Sequence, residues 1–392
     1  MKPRNLRILL VVEPGWTGVF RHVEGLADFL HESGQSVALA YSNVRGSDGL
    51  EALVRRVISW GGPVRNLRVS HSPSPWDLRA LLRIASIQRE FQPDVIHGHS
   101  SKAGALVRLP ALIRPSRASL FYTPNAYYGM ARQGGIAEWF FTSIERRLAN
   151  VGATINISQD EATFARDILG LRRENQFIIH NPAKVDFFLP ATSQEKRESR
   201  QALGIPEDCL VLGTAGRISF EKDPETLFRA LAPLFRAHPR LRLLHMISGK
   251  PDTKLARLAK SLGVEDKIQP LPYQEDLRAA YHALDGFVMT SRYEAGWPIV
   301  ILEALSCGLP IVSSTGPGMS DIGHAGLSHC WTAGVEDVPG FTRALQDWLE
   351  DLPRHRPSNH REVAVGRFSP SKCLGAVLAA YRHRVLPPQK RA

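Results

Sequence analysis

Residues 209–237 read CLVLGTAGRISFEKDPETLFRALAPLFRA. An apolar run ends in a loop containing Gly213 and Gly216, two bases follow at Arg217 and Lys222, and Asp223-Pro224 opens a stretch with apolar residues at helical spacing. Asp is a preferred helix cap and Pro fits the first helical turn. The pattern predicts a strand over 209–215 and a helix over 224–237, joined by a loop that holds two cations beside the free N–H groups of a helix start. Arg offers paired hydrogen bonds and Lys a point charge. Together they suit a diphosphate whose negative charge grows as it departs. The alternative is a plain surface loop with two exposed bases.

The same strand–loop–helix unit recurs on both sides of this stretch. Upstream, runs at 6–12, 36–41, 94–98, 119–123, 153–158 and 176–180 read as strands, with helices over 19–32, 76–90, 101–112, 137–150 and 160–169. Downstream, strands are expected at 241–247, 268–271, 286–290 and 310–314, with helices over 252–262, 274–282, 298–307 and 369–385. Alternation of this kind is the βαβ signature of a parallel sheet. It lapses once, in the polar stretch SQEKRESRQALG at 193–204. The expected fold class is therefore α/β, with two tandem Rossmann-like, doubly wound domains at 1–183 and 208–368. Residues 184–207 would form the linker, and a C-terminal helix near 369–386 is expected to pack back on the first domain. Sheets of this type bind ligands at their C-terminal edges, so a cleft faced by both edges is where a site is expected.

Composition narrows the class. The chain has 392 residues, 43% hydrophobic and 22% charged, which is ample for two cores and unlike a disordered or collagenous chain. Its apolar runs, such as 8–12 and 298–302, are far below the roughly 20 residues that span a bilayer. The N-terminal stretch lacks a signal-peptide pattern, and the four cysteines show no CxxC spacing, so neither a disulfide framework nor a zinc ribbon is indicated and a cytoplasmic setting is expected. The net charge is +11, and residues 1–190 carry 23 bases against 16 acids. That bias suits an anionic partner. Nucleic acid is not expected, because the bases are scattered and no nucleic-acid-binding pattern occurs.

Three further stretches carry polar groups at predicted strand ends. EPGWTG at 13–18 places Gly15 and Gly18 before the first helix, where small residues let a ligand approach free N–H groups. It is not a GxGxxG dinucleotide fingerprint, and a tight strand-to-helix turn reads equally well. PDVIHGHSSKAG at 93–104 puts His97 and His99 on one side of a strand, with Ser101 able to cap the next helix and Lys102 in its first turn. No third ligand is tied to this pair, so substrate contact is expected rather than metal binding. TSRYEAGWPIVILEALSCGLPIVSS at 290–314 contains Glu303 inside an apolar helix opened by Pro298. A buried carboxylate needs hydrogen-bond partners, and sugar hydroxyls would serve, with an Arg salt bridge as the alternative. Backbone N–H groups at Gly296 and Trp297 are expected to meet phosphate or sugar oxygens.

Taken together, these residues resemble the retaining glycosyltransferases of family 4, which have the GT-B fold. EPGWTG is similar to the family's first glycine-rich loop, VIHGHSSKAG to its first-domain motif, INIS at 155–158 to its start-of-helix Ser, and HNPAKVDFF at 180–188 to its usual segment of Asn and Gly or Pro followed by Asp and Phe. The resemblance implies transfer of a sugar from a nucleoside diphosphate to an acceptor hydroxyl with retention and no obligatory metal, UDP- or GDP-sugar being the donor. It implies that Arg217 and Lys222 bind the diphosphate together with Gly216, that Glu303 binds the ribose, and that Glu294 meets the donor sugar. The absence of any Asp-x-Asp agrees.

Two features depart from the family pattern. Eight residues separate Glu294 from Glu303 where the family has seven, which puts Ala295 in the glutamate's register. In YTPNAYYG at 122–129, Asn125 replaces the family's usual His, and an Asn cannot act as a base. His99 or His97 is expected to compensate, with His97, Lys102 and Asn125 on the acceptor side. The same motifs resemble enzymes of bacterial capsular polysaccharide, exopolysaccharide and lipopolysaccharide synthesis, which implies a glycan or lipid-linked acceptor. The basic first half and the bulky stretch AYYGMARQGGIAEWFF at 126–141 would suit peripheral contact with the anionic inner face of a membrane, unless Trp139, Phe140 and Phe141 pack into the core. Competing readings are a sugar-nucleotide epimerase on the same fold, a sugar-nucleotide-binding protein without turnover and, more distantly, a nicotinamide oxidoreductase.

Overall fold

The computed structural model of the chain describes residues 4–15, 18–131, 134–248, 253–272, 274, 276–352 and 358–385. Trp16 and Thr17 of the first loop, Arg132 and Gln133 of the bulky stretch, and the expected start of a helix at Asp252 lie outside the described residues. The chain divides into two compact units. One comprises the described residues up to Pro182 together with helix Pro370–Arg384, and the other is Ala183–Ser369.

The first unit is built on a seven-stranded sheet, β1 (Arg7–Val12), β2 (Ser36–Tyr41), β3 (Val64–Asn66), β4 (Val95–His99), β5 (Ser119–Thr123), β6 (Ala153–Asn156) and β7 (Gln176–Ile178), in the order β3-β2-β1-β4-β5-β6-β7. The second has six strands, β8 (Leu210–Arg217), β9 (Leu241–Ser248), β10 (Ile268–Pro272), β11 (Gly286–Met289), β12 (Ile311–Ser314) and β13 (Cys330–Ala333), in the order β10-β9-β8-β11-β12-β13. Every recorded pairing is parallel, including β1 with β4 and β8 with β11. Both sheets thus reverse direction once, at β1/β4 and at β8/β11, and such switch points open a crevice at the C-terminal ends of the strands. The doubly wound α/β class expected from the alternation is the class observed.

Strand sequences show why both faces are covered. In β1, Ile8, Leu10 and Val12 pack on one side with helices Gly18–Glu32 and Pro370–Arg384, while Leu9 and Val11 pack on the other with helices Asp77–Phe91 and Ser101–Arg108. In β8, Val211 faces helix Ile299–Ser306 and Leu212 faces helices Pro224–Ala237 and Val338–Asp351. A strand buried on both faces reads as a continuous apolar run, which is what RILLVV is. Helix Pro370–Arg384 contributes Leu374, Val377 and Tyr381 to the first unit's core.

Several elements differ from expectation. The stretch read as a linker contains helix Ser193–Ala202, closed at its start by a capping box of Thr192 and Glu195. It belongs to the second unit, where the guanidinium of Arg200 donates to the carbonyls of Ala283 and Cys209 and to Asp285. Short edge strands β3 and β13 and helices Asp48–Ser59, Val338–Asp351 and His360–Phe368 were not expected at all. The helix read over 274–282 is confined to Arg278–His282, with residues 273 and 275 outside the described set. Ser101 does not cap its helix: Ser100 holds the cap position, at φ +83° and with no side-chain cap bond. Among the described residues, no helix is long and apolar enough to cross a membrane.

Candidate functional site

The site grows from the C-terminal end of β8. That strand delivers Gly216 and Arg217, and the loop that follows turns back so that Asp223, at φ +45°, caps helix Pro224–Ala237 by accepting from the Thr226 N–H and hydroxyl. The cap read from Asp223-Pro224 is therefore present. The loop is pinned from β11 and beyond: the Thr290 hydroxyl donates to the Asp223 carbonyl at 2.8 Å, the Arg292 N–H donates to the Glu221 carbonyl at 2.8 Å, and the Arg292 guanidinium lies 3.2 Å from the Asp223 carboxylate. A depression results, lined by Thr214, Gly216, Arg217, Lys222, His245 and Thr290 among others. Its walls come from β8, β9, the end of β11 and the start of the helix, which is the switch point of the second sheet.

Gly216 has φ +149°, and a Cβ placed there would lie 3.5 Å from the Lys222 stem. That distance is an ordinary contact, so the glycine is required by its backbone conformation rather than by space. The Lys222 ammonium donates to the Glu294 carboxylate, which also accepts from the Ser291 hydroxyl at 2.7 Å. Arg217 pairs with Glu221 four residues on in the loop, and its side chain is 56% exposed against 21% for Lys222. His245 lies in the floor. Burial pushes its pKa down to about 4, so the ring is neutral at pH 7.

The remaining expected donor-side residues, Gly296 and Trp297 in the turn that follows β11 and Glu303 on helix Ile299–Ser306, do not line this depression. Glu303 is buried and accepts from the Tyr281 hydroxyl at 2.8 Å, so a tyrosine on the neighbouring helix is one of its partners. The Trp297 side chain is a core group: its indole N–H donates to Asp321 at 2.7 Å and its ring packs on Phe368 with centroids 5.0 Å apart. Only its backbone remains for the role expected of it. Gly296 is buried in the same turn.

In the first unit, Gly18 opens helix Gly18–Glu32, and β4 and β5 bring His97, His99 and Asn125 to the C-terminal edge of the sheet. His97 is fully buried between the Tyr381 hydroxyl (2.6 Å) and the Thr123 hydroxyl (2.9 Å). His99 is equally buried, its ring 3.9 Å from that of His97 by centroids and 5.5 Å from that of His22, and neither of its nitrogens has a hydrogen-bond partner among the described residues. Burial, reinforced by the neighbouring imidazoles, holds His97 and His99 well below the usual histidine range, and burial brings His22 to about 4. Three neutral rings in contact are what the loss of solvent dictates. Lys102 is turned away, to Asp77 and the Ser72 carbonyl. Asn125, at φ +54°, donates to the Thr123 carbonyl at 3.3 Å.

Sequence reading missed Glu161. Fully buried, its carboxylate accepts from the Ala126 and Ile157 N–H groups at 2.9 and 2.7 Å and holds the left-handed Asn125-Ala126 turn; burial raises its pKa to about 7. The signal was legible as Ser158-x-x-Glu161, a capping pattern at the start of helix Gln159–Asp167. Among the described residues, no group of three or more His, Cys, Asp or Glu is arranged to hold a metal ion.

Comparison with known proteins agrees with this layout. Residues 17–182 match the model of the glycosyl transferase 4-like domain, and residues 195–362 that of glycosyl transferases group 1. The chain is 32% identical over 358 residues, 84% of its own length and 81% of the other's, to a D-inositol 3-phosphate glycosyltransferase of Actinosynnema mirum. It is 31% identical over 199 residues to one of Corynebacterium jeikeium, a match spanning 48% of this chain and about half, 45%, of that protein. Among solved structures, Anabaena HepE in complex with UDP superposes with a TM-score of 0.79 at 19% identity, covering 96% of this chain and 100% of that one. The chain belongs to the family 4 type of glycosyltransferases with the GT-B fold.

Proposed function

We propose that the protein is a retaining, metal-independent hexosyltransferase that moves a sugar from a UDP- or GDP-sugar to a hydroxyl of a glycan or lipid-linked acceptor in cell-surface polysaccharide synthesis. The observation that carries the reading is the depression at the end of β8, where Arg217 and Lys222 stand beside a capped helix start. HepE, a likeness in fold, is known with UDP and with UDP-glucose. In the reaction the bond from the anomeric carbon to the diphosphate breaks, the acceptor oxygen bonds that carbon from the same face, and the acceptor proton passes to the departing phosphate oxygen. Lys222 and Arg217 stabilise the charge that grows on the diphosphate, an interaction stronger in the transition state than in the ground state. Glu303 and Glu294 would meet the ribose and the donor sugar, with the backbone at Gly296 and Trp297 beside them. On the first unit, Gly18 would meet the nucleotide sugar, and His97, His99, Lys102 and Asn125 belong to the acceptor side: His99 would act through its neutral ring nitrogens, which have no partner among the described residues, and His97, bonded to Tyr381 and Thr123, would hold the His99 ring in place.

We place the enzyme on the cytoplasmic face of an anionic membrane. Helix Ile136–Leu148 supports this: Ile136 is 86% exposed and Trp139 69%, so these residues do not pack into the core. Arg146 and Arg147 in its last turn and the surplus of bases in residues 1–190 complement anionic lipid.

The test is nucleotide release from UDP-, GDP- and ADP-sugars with and without acceptors, including lipid-linked glycans and inositol phosphates, and with EDTA. Release that depends on acceptor, persists in EDTA and yields a product of unchanged anomeric configuration is expected. Interconversion of the sugar nucleotide without acceptor would instead identify an epimerase, and binding without turnover a degenerate enzyme.

A further inference from the structure

The two cations of the depression are each matched by a carboxylate of the same unit, Arg217 by Glu221 and Lys222 by Glu294. Two bases and two acids leave these four groups with no net charge, an odd state for a site built to take a diphosphate. The pairs are unequal. Arg217 is more than half exposed, and an ion pair in water contributes little. Lys222 and Glu294 are 21% and 15% exposed, so solvent screens them far less.

Both partners of the second pair are also held from behind. The Glu294 N–H donates to the Pro317 carbonyl at 2.8 Å, and Gly318, at φ +86°, lets the two backbones abut, since a Cβ there would fall 2.0 Å from the Glu294 carbonyl oxygen. The Ser291 hydroxyl then orients the carboxylate. On the other side, the Lys222 N–H donates to the Ser219 carbonyl and its stem lies along Gly216. The contact is built into the loops rather than made by two free side chains.

We propose that Glu294 is an internal counter-ion that occupies Lys222 until a diphosphate displaces it, and so lowers the pocket's affinity for nucleoside diphosphates. The proposal rests on the donor-site reading above. A diphosphate reaching Lys222 meets the Glu294 carboxylate at the same ammonium, and like charges there oppose binding until Glu294 turns away. The consequence is weak retention of the product nucleotide.

The experiment titrates the full chain with UDP, GDP and ADP by calorimetry at fixed ionic strength, as wild type, Glu294→Gln, Ser291→Ala and Glu221→Gln. The nucleotide that binds wild type should bind Glu294→Gln about tenfold tighter, equivalent to ~1.4 kcal/mol. Ser291→Ala, which only loosens the carboxylate, should gain roughly two- to threefold, and Glu221→Gln on the exposed pair less than that. Unchanged or weaker binding by Glu294→Gln and Ser291→Ala, with wild type binding, overturns the proposal and shows that Glu294 does not compete with the diphosphate for Lys222. If melting shows Glu294→Gln to be unfolded, Ser291→Ala decides alone. Absence of nucleotide binding in every folded form overturns the donor-site reading itself.

Discussion

At the residue scale the account turns on Lys222 and Arg217. They share a loop but not an environment: Lys222 is largely enclosed beside Gly216, whereas Arg217 stands at the rim. If both stabilise the departing diphosphate, Lys222→Ala and Arg217→Ala should each lower kcat more than they raise the donor KM. Lys222→Ala should cost the larger factor, on the order of 100-fold, because its charge acts where water is excluded. A raised donor KM with kcat unchanged would mean that the cations only bind. Arg217, Lys222 and the Asp223 cap were legible in sequence because they sit within seven residues of one another. The Lys222–Glu294 contact was not, since it joins residues 72 apart through the pairing of β8 with β11. Tertiary burial is equally invisible locally, which is why His97 and His99, read as substrate contacts, are found buried, His97 between Tyr381 and Thr123 and His99 against the rings of His97 and His22.

At the element scale, periodicity exposed most of what mattered. Central strands such as β1, β4 and β8 are short apolar runs between turn signals, and their reading places the site at strand ends. Helix Ser193–Ala202 failed because it is polar on nearly all sides and was taken for a linker, although Thr192-x-x-Glu195 marks its start. Edge strands β3 and β13 have three and four residues and too little pattern to register. Helix Ile136–Leu148 shows the opposite problem: its apolar first turn fits either a core or a surface contact, and only the fold shows that Ile136 and Trp139 face outward. From that exposure the protein should co-sediment with vesicles rich in phosphatidylglycerol, more weakly as salt rises, and Trp139→Ala with Ile136→Ser should lose most of the binding. No salt-sensitive sedimentation would remove the membrane from the account.

At the scale of the whole molecule, buried histidines set the response to acid. His22, His245 and His360 are pushed down to about 4, and His97 and His99 well below their usual range, burial being the first cause in each. The folded values lie below the unfolded value near 6.5, so the unfolded chain takes up protons first as pH falls. The stability these residues contribute is present above 6.5 and lost toward 4. For His22 alone, the fall from 6.5 to about 4 corresponds to on the order of 3 kcal/mol. Glu161, raised to about 7, works the other way, its contribution present below 4.5 and lost as pH rises through 7, and Glu13 and Asp28, also raised by burial, act in the same sense, but these are three carboxyls against five histidines. The melting temperature should therefore drop between pH 7 and pH 5. A flat profile over that range would show that these rings are not held neutral.

The central claim is that the end of β8 is a donor site worked by Lys222. Calorimetric titration of wild type and Lys222→Ala with UDP and GDP, with and without EDTA, tests it most directly. Micromolar binding of one nucleotide by the wild type, unchanged by EDTA and weakened at least tenfold in a folded Lys222→Ala, is the expected result. Equal affinity in the two proteins would contradict the assignment of the diphosphate to this pocket.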